Sequence, residues 1–179
     1  NEIWNYLKNP TYSPYSLEEK ENKWRIFREI LILNLVSSFL LGLFIALITS
    51  IIKVDIGEHG INELFKKFSV YIIFLLGVLV APILEELIFR APLGFFKNSK
   101  YFKVAFYCSF ILFGAVHITN FTSYKDFLWL APLLVLPQTV AGIFLGFIRV
   151  KLGLGWSMLL HACHNGILFA PILFIKFTS

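Results

Sequence analysis

Three separated segments of the chain place ionisable or amide side chains inside long apolar runs. A charge at the centre of a bilayer costs roughly 2.5–3.5 kcal/mol on insertion scales, so such residues are rarely bystanders. Carboxylates and imidazoles also activate water, either directly as a general base or through a bound metal ion. The residues are Glu85, Glu86 and Arg90 in the first segment, His117 in the second, and His161, His164 and Asn165 in the third.

The spacing within the first segment gives its two glutamates different partners. Glu86 and Arg90 are four residues apart, so on a helix they lie on one face and can form an ion pair. Glu85 then points about 100° away and is free for another role. Taken alone, a helix end that reaches the lipid headgroups explains these charges equally well. Pro82 removes one backbone donor, which in α-helical register leaves the Val78 carbonyl without its usual partner.

The histidine segments also follow helical spacing. Phe113 and His117 are four residues apart and share a face. A single buried histidine is more often a hydrogen-bonded packing residue than a ligand. His161, His164 and Asn165 can line one face of the last apolar segment. Metal or proton chemistry and a polar packing stripe are comparable explanations for that segment.

The three segments together predict a hydrolytic site. One glutamate and two histidines can hold a zinc ion with water in its fourth position. Without a metal, a glutamate can act as general base on water while an asparagine or histidine donates to the oxyanion. The residues leave both chemistries open, so the cofactor is either zinc or none.

The elements that must position these residues are transmembrane helices. The chain is 58% hydrophobic and 15% charged, whereas soluble domains are about a quarter charged. Five apolar stretches are long enough to span a bilayer, and they do not alternate as barrel strands do. The sequence predicts an all-α, polytopic transmembrane helical bundle with about five to six membrane helices. The stretches are Ile30–Ile52, Phe68–Leu84, Val104–Tyr124, Phe127–Ile148 and Leu152–Ile175.

Residues 1–28 are predicted to be a cytoplasmic N-terminal segment, followed by a single transmembrane bundle over residues 29–179. Leu17–Arg28 is expected to be an amphipathic helix with Ser16 as N-cap and Glu19 in capping-box spacing. Lysine and arginine are concentrated on the side that holds the N-terminus, which the positive-inside rule assigns to the cytoplasm. These flanking charges account for the net charge of +5, so no nucleic-acid partner is expected.

The ordered motifs resemble those of a known family. Glu85-Glu86-xxx-Arg90, Phe113-xxx-His117 and His161-xxx-Asn165 are similar to the EExxxR, FxxxH and HxxxN/D motifs of the CAAX-protease and bacteriocin-processing (CPBP, or Abi) family. The resemblance covers about residues 68–170, which would be the protease core.

The resemblance implies a membrane-embedded protease and a role for each motif residue. Glu85 would activate the attacking water, His117 and His161 would orient it or bind metal, and Asn165 would stabilise the oxyanion. Glu86 and Arg90 would support the helix. The family includes enzymes that trim prenylated CAAX proteins, and bacterial members linked to peptide processing or bacteriocin immunity. His164 lies outside the motifs, and the residues do not predict an oligomeric state.

Three functions compete at this point. The first is an intramembrane glutamic or metallo-endopeptidase of a bacterial plasma membrane, acting on a membrane-associated or lipidated peptide and surrounded by lipid. The second is a non-catalytic immunity or scaffold protein of the same fold. The third is a proton or metal transporter, which needs polar groups from one membrane face to the other.

Helix geometry predicts how the site residues reach a common depth. If the second span ended at Arg90, Glu85 would lie only about 8 Å from that helix end. The span is therefore expected to continue as helix over Leu87–Phe96, to about Lys97, with Arg90 inside the bundle. The site is expected to be reached from the cytoplasmic half.

Overall fold

The computed structural model describes residues 2–54 and 60–178, without the side chains of Lys20 and of residues 61–63 and 176–178, and all regular structure within them is helical. This confirms the predicted all-α bundle. The α-helices are α1 Glu2–Lys8, α2 Leu17–Lys20, α3 Lys23–Ile52, α4 Ile61–Lys67, α5 Val70–Leu75, α6 Ala81–Phe89, α7 Phe102–Val116, α8 Ala131–Leu134, α9 Leu136–Lys151 and α10 Leu154–Thr178.

Four helical segments of the described chain are long and apolar enough to cross a membrane. They are Lys23–Ile52, Val70–Gly94, Phe102–Asn120 and Leu154–Ile175. A fifth span is possible if Tyr124–Leu134 and Leu136–Lys151 are taken together, although they meet at a 45° bend. The span expected over Phe127–Ile148 is therefore bent, because the helix breaks at Val135 between two prolines, Pro132 and Pro137.

The outer surface of the bundle is apolar, as lipid contact requires. Large side chains such as Phe39 and Ile88 are 65% and 64% exposed, and Leu112 is 55% exposed. Soluble monomers rarely expose contiguous apolar patches of more than a few hundred Å². The protein is an integral membrane protein.

The N-terminal segment folds back onto one end of the bundle. Ser16 and Glu19 form the predicted capping box, with hydrogen bonds of 3.2 and 2.7 Å, and the Ser16 N–H lowers the pKa of the Glu19 carboxyl. The helix expected over Leu17–Arg28 is interrupted after Lys20, and α3 then runs without a break across residue 28. The Tyr6 ring is buried against Phe106 and Phe147. The division at residue 28 stays a prediction.

Helix α9 is the centre of the bundle and packs against α3, α7 and α10. Its glycines bring α7 close: a Cβ added at Gly142 would lie 2.9 Å from the Phe110 Cβ, and one at Gly146 would lie 2.9 Å from the Phe106 ring. Close packing inside the bundle accounts for the Gly142-xxx-Gly146 spacing. Gly153, at a φ of +113°, makes the tight turn from α9 into α10.

The second span changes helix type twice before it ends. Residues Leu76–Val80 form a π-helical turn between α5 and α6, and Ala91–Gly94 form a 3₁₀ turn after α6. The helix expected over Leu87–Phe96 continues past Arg90 to Gly94, as 3₁₀ rather than α-helix, and stops short of Phe96. Arg90 is nevertheless fully buried, and Leu93 in the 3₁₀ turn is 1% exposed. The depth estimate that used a continuous α-helix therefore fails, while the burial of Arg90 that it required is present.

Replacing Gly142 by alanine should destabilise the protein. The added methyl group overlaps Phe110 and cannot be accommodated without moving α7, and overpacking of this kind costs about 1–3 kcal/mol. Thermal unfolding of the detergent-solubilised protein measures the loss. Gly42→Ala is the matched control, because no heavy atom lies within 4 Å of its added Cβ. Equal melting temperatures for the two variants would contradict the close α7–α9 contact.

Candidate active site

The site is built around the carboxylate of Glu86, which is fully buried on α6. Arg90, one turn along the chain, forms an ion pair with it at 3.3 Å, as the spacing predicts. From α10, the Ser157 hydroxyl donates to Glu86 Oε2, and His161 Nδ1 lies 3.1 Å from Glu86 Oε1. Ser157 Oγ also lies 3.0 Å from the Leu145 carbonyl, but its one proton favours the charged acceptor. Each carboxylate oxygen thus has a partner on α10.

The contact with Glu86 fixes the protonation pattern of His161. Nδ1 is within hydrogen-bond distance of Glu86, whereas Nε2 is beyond that distance from the nearest carboxylate, so in the neutral imidazole Nδ1 donates to Glu86 and Nε2 is left as an acceptor. His161 Nε2 lies 3.6 Å from Glu85 Oε2. That oxygen is enclosed and has no hydrogen-bond partner among the described residues. The two neighbouring glutamates therefore contact opposite nitrogens of one imidazole ring.

His117 is held by the end of helix α7. The His117 backbone N–H bonds to the Gly114 and Ala115 carbonyls rather than to that of Phe113. The Phe113 carbonyl is one of the acceptors that a helix end leaves unpaired, and His117 Nδ1 contacts it at 2.6 Å. A carbonyl can only accept, so Nδ1 carries the proton and Nε2 is again the free acceptor.

The ring of Phe113 joins the motif residues in space. Its centroid lies 4.7 Å from that of His117 and 5.6 Å from that of His161. The Arg90 guanidinium carbon lies 3.9 Å from the same ring centroid, at cation–π distance. One aromatic side chain therefore packs against the Arg90 guanidinium and against both imidazoles.

Asn165 forms a hydrogen bond with a backbone carbonyl of the second span. The Ala81 N–H donates five residues back to the Leu76 carbonyl, and the next donor in that register is Pro82, which has no N–H. The Gly77 carbonyl is left over, and Asn165 Nδ2 donates to it at 2.8 Å. The expectation that the Val78 carbonyl lacks a partner stays a prediction. One proton of the Asn165 amide remains for another acceptor.

All four predicted catalytic residues, Glu85, His117, His161 and Asn165, line one cavity of about 800 Å³. His164, which the motifs leave without a role, lines it too. Glu86 and Arg90 lie behind His161, outside the lining. The catalytic roles of the four cavity residues and the supporting roles of Glu86 and Arg90 stay predictions.

Two residues of this network were not identified from the sequence. Ser157 is fully buried, and its position one turn before His161 is the sole pattern that could have pointed to it. Arg149, expected only as a membrane-flanking charge, donates from Nε to the Arg90 carbonyl at 3.2 Å and from a terminal nitrogen to the Tyr12 hydroxyl at 3.3 Å. The N-terminal segment is thereby linked to the backbone that carries Arg90.

The fit of a metal ion can be tested against the donors. Both imidazoles have Nδ1 on an acceptor and Nε2 free, as metal-bound histidines usually do. In residues 2–54 and 60–178, however, no three His, Cys, Asp or Glu side chains are placed to hold one ion. The donor types suit zinc and their arrangement does not, so no chemical step is derived through a metal.

The cavity extends away from the end of the bundle that holds the N-terminal segment. Its lining includes Gly60, Phe68 and Asn120, which lie near the opposite end, and it does not reach Leu93 or Phe102. The predicted access from the cytoplasmic half stays a prediction.

A family model described as type II CAAX prenyl endopeptidase Rce1-like matches residues 67–167. This range contains every motif residue and more than half of the 179-residue chain. No curated protein and no solved structure matches the chain. The ordered motifs, the helical membrane bundle and the family match agree, and the chain belongs to the type II CAAX prenyl endopeptidase Rce1-like family.

Proposed function

We propose that this protein is an intramembrane endopeptidase that hydrolyses a peptide bond of a membrane-associated or lipidated peptide, with water activated by Glu85. Its family supports a CAAX-type protease at a general level. The observation that carries the specific proposal is the pair formed by Glu85 Oε2 and His161 Nε2, 3.6 Å apart at the wall of the cavity.

This pair suits the activation of water because both atoms are acceptors. Two acceptors at this distance repel each other unless a proton, a water molecule or a cation lies between them. A water that donates one hydrogen bond to Glu85 and another to His161 satisfies both, once the Glu85 side chain, which is 28% exposed, turns its enclosed oxygen toward the cavity. Its oxygen lone pair then points into the cavity, where a substrate carbonyl can approach. His117 Nε2, the third free acceptor, can orient the same water.

The reaction follows from this placement. The water oxygen bonds to the carbonyl carbon as Glu85 takes its proton, and the carbonyl becomes a tetrahedral oxyanion. The carbon–nitrogen bond then breaks, and Glu85 returns the proton to the leaving amine, so a carboxylic acid and an amine are released. The second amide proton of Asn165 can donate to the oxyanion. In this proposal Glu86 does not react and keeps His161 in its Nδ1–H form.

A metallo-endopeptidase is the second candidate chemistry. Glu85, His117 and His161 would hold the ion, and zinc would lower the pKa of a bound water. The Nδ1 contacts of both imidazoles favour this reading, and the lack of a three-ligand arrangement in the described chain weighs against it. Removal of metal from the active protein distinguishes the two.

The contacts favour a protease over the other two functions. A transporter needs a polar path through the bundle. Beyond Arg90 the cavity gives way to apolar core side chains such as Leu93 and Phe106, among which Arg149 and Tyr12 are bound to protein partners. An immunity or scaffold protein does not need an internal cavity. Such a function also would not explain why Glu85 lies beside His161 at the cavity wall.

Glu85→Gln should lose about 10²–10⁴-fold in cleavage rate, because the amide cannot take a proton from water. The assay uses the purified protein in lipid vesicles with prenylated CAAX-type peptides, and product is followed by mass spectrometry. Glu21→Gln makes the same chemical change at an exposed position and should keep the full rate.

A chelator arm of the same assay addresses the metal. Under the glutamate mechanism, the wild-type rate survives chelation. Loss of activity that added zinc restores would replace it with the metallo-endopeptidase. Full cleavage by Glu85→Gln would exclude both mechanisms.

Ser157→Ala should lower kcat with little change in KM, because Glu86 loses a buried donor and holds His161 less firmly. Leaving a buried acceptor without its partner costs about 1–3 kcal/mol, so the melting temperature should fall as well. Ser109→Ala is the control, since the Ser109 hydroxyl is also buried but has no hydrogen-bond partner in the described chain. An unchanged kcat in Ser157→Ala would show that Glu86 does not position His161.

The charge distribution supports a cytoplasmic N-terminus, and we take the membrane to be a bacterial plasma membrane. The cavity lining near Thr119 and Asn120 then lies toward the outer side. Thr119→Cys, at an exposed cavity position, should then react with a membrane-impermeant maleimide in intact cells. Lys97→Cys, at the other end, should react only after permeabilisation. Both are made with Cys108 and Cys163 replaced by alanine, and the reverse labelling pattern would invert the orientation.

A further inference from the structure

Three polar side chains around the cavity play no part in the proposed reaction. They are Asn34 on α3, Gln138 on α9 and His164 on α10. Asn34 is 1% exposed and His164 is 7% exposed. Both polar atoms of Asn34, together with Gln138 Oε1 and His164 Nδ1, are enclosed and have no hydrogen-bond partner in the described chain. Buried polar atoms usually have partners, so this cluster requires an explanation.

Helix register places Gln138 and His164 at one level. Helices α9 and α10 are antiparallel neighbours, and Ser157 Oγ lies 3.0 Å from the Leu145 carbonyl. Gln138 lies seven residues before Leu145 on α9, and His164 lies seven residues after Ser157 on α10. Seven residues rise about 10.5 Å on an α-helix, so the two side chains lie at about the same height along the α9–α10 contact.

The same reasoning brings Asn34 to that level. Helices α3 and α10 both start at the end that holds the N-terminal segment, and there the Phe27 and Trp156 rings lie 5.6 Å apart. Asn34 is seven residues beyond Phe27, and His164 is eight beyond Trp156. Three different helices therefore present an unpaired polar side chain to the cavity at about one height.

This cluster lies next to the proposed reacting groups. His164 is three residues from His161 on the same helix, a rise of about 4.5 Å. An extended peptide advances about 3.3 Å per residue. The distance from the water position to the cluster is therefore one to two residues of an extended substrate.

The chemistry of the cluster selects its ligand. Two carboxamides and an imidazole offer both donors and acceptors without a fixed charge. A phosphate or a carboxylate would need a cation, and the Arg90 guanidinium is already paired with Glu86. A neutral group that both donates and accepts satisfies these side chains, and the main-chain amide of a peptide is such a group.

We propose that Asn34, Gln138 and His164 form a subsite that binds main-chain amides of the substrate one to two residues from the scissile bond. The inference rests on the proposed peptidase function and extends it to residues outside the three motifs. Asn34 also lies outside the matched range of the family model. The subsite binds the main chain of the peptide and not its side chains, so it holds peptides of different sequence in the same position.

Main-chain N-methylation tests the subsite, because it removes the peptide donor and leaves the side chains unchanged. The protein is the full chain with Glu85→Gln in lipid nanodiscs, so that bound peptides are not cleaved. The probes are a panel of fluorescent, prenylated, C-terminally amidated apolar peptides, each with a twin methylated at two adjacent main-chain nitrogens. Binding is measured by anisotropy. We expect the methylated twin to bind about tenfold more weakly, as for the loss of one well-placed hydrogen bond.

Asn34→Leu, Gln138→Leu and His164→Phe should each remove most of this difference, to about twofold or less, by weakening the unmethylated peptide. Thr119→Val is the control: its hydroxyl lines the cavity but already donates to the Val116 carbonyl at 2.9 Å, so the tenfold difference should persist. Melting temperatures identify a variant that does not fold, and Gln138→Leu, at the least buried position, carries the test in that case.

The same penalty for N-methylation in the subsite variants would overturn the proposal, as would a panel in which no peptide binds. Binding is measured without cleavage, so its outcome is separate from that of the proposed function. Peptides that bind with the expected sensitivity, but that the wild type never cleaves, would retain the subsite and exclude the peptidase.

Discussion

The Glu86 carboxylate is the interaction on which the rest of the site depends. A buried charge is tolerated only when its partners are complete, and removal of one partner typically costs 3–5 kcal/mol. Here the partners come from two helices: Arg90 from α6, and Ser157 and His161 from α10. Because Arg90, Ser157 and His161 must all contact the same carboxylate, α10 can take only one rotation about its axis relative to α6. The placement of His161 beside Glu85 is a result of that rotation.

Irregular backbone supplies the remaining constraints. The π-helical turn before Pro82 leaves the Gly77 carbonyl to Asn165, and the end of α7 leaves the Phe113 carbonyl to His117. In both cases a carbonyl that helical geometry cannot satisfy holds a polar side chain of the cavity. Within a bilayer no water competes for such acceptors, so a helix break is an efficient means of orienting a side chain.

The sequence predicted the contacts that follow from one helix and missed those that join two. Four-residue spacing was enough for the Glu86–Arg90 pair and for the Phe113–His117 contact, and apolar length was enough for four spans. The Ser157–Glu86 bond depends on how α6 and α10 are rotated, which no local pattern encodes. The sequence indicated an unpaired carbonyl at Val78 because α-helical register was assumed, whereas the Gly77 carbonyl that accepts from Asn165 follows from the π-helical turn. The bend at Val135 follows from prolines that also occur in straight helices at the first turn.

Adjacent glutamates with unrelated duties have a consequence for divergence within this fold. Glu86 joins two helices through its buried contacts, so its loss would lower the stability of the folded protein whether or not the protein is catalytically active. Glu85 faces only the cavity and His161, and a descendant could abandon it without disturbing the helices. A pseudoenzyme derived from this scaffold would keep the second glutamate and the arginine of the motif while its first glutamate drifts. The first position therefore records whether a lineage still performs chemistry, and the second records only that it still folds.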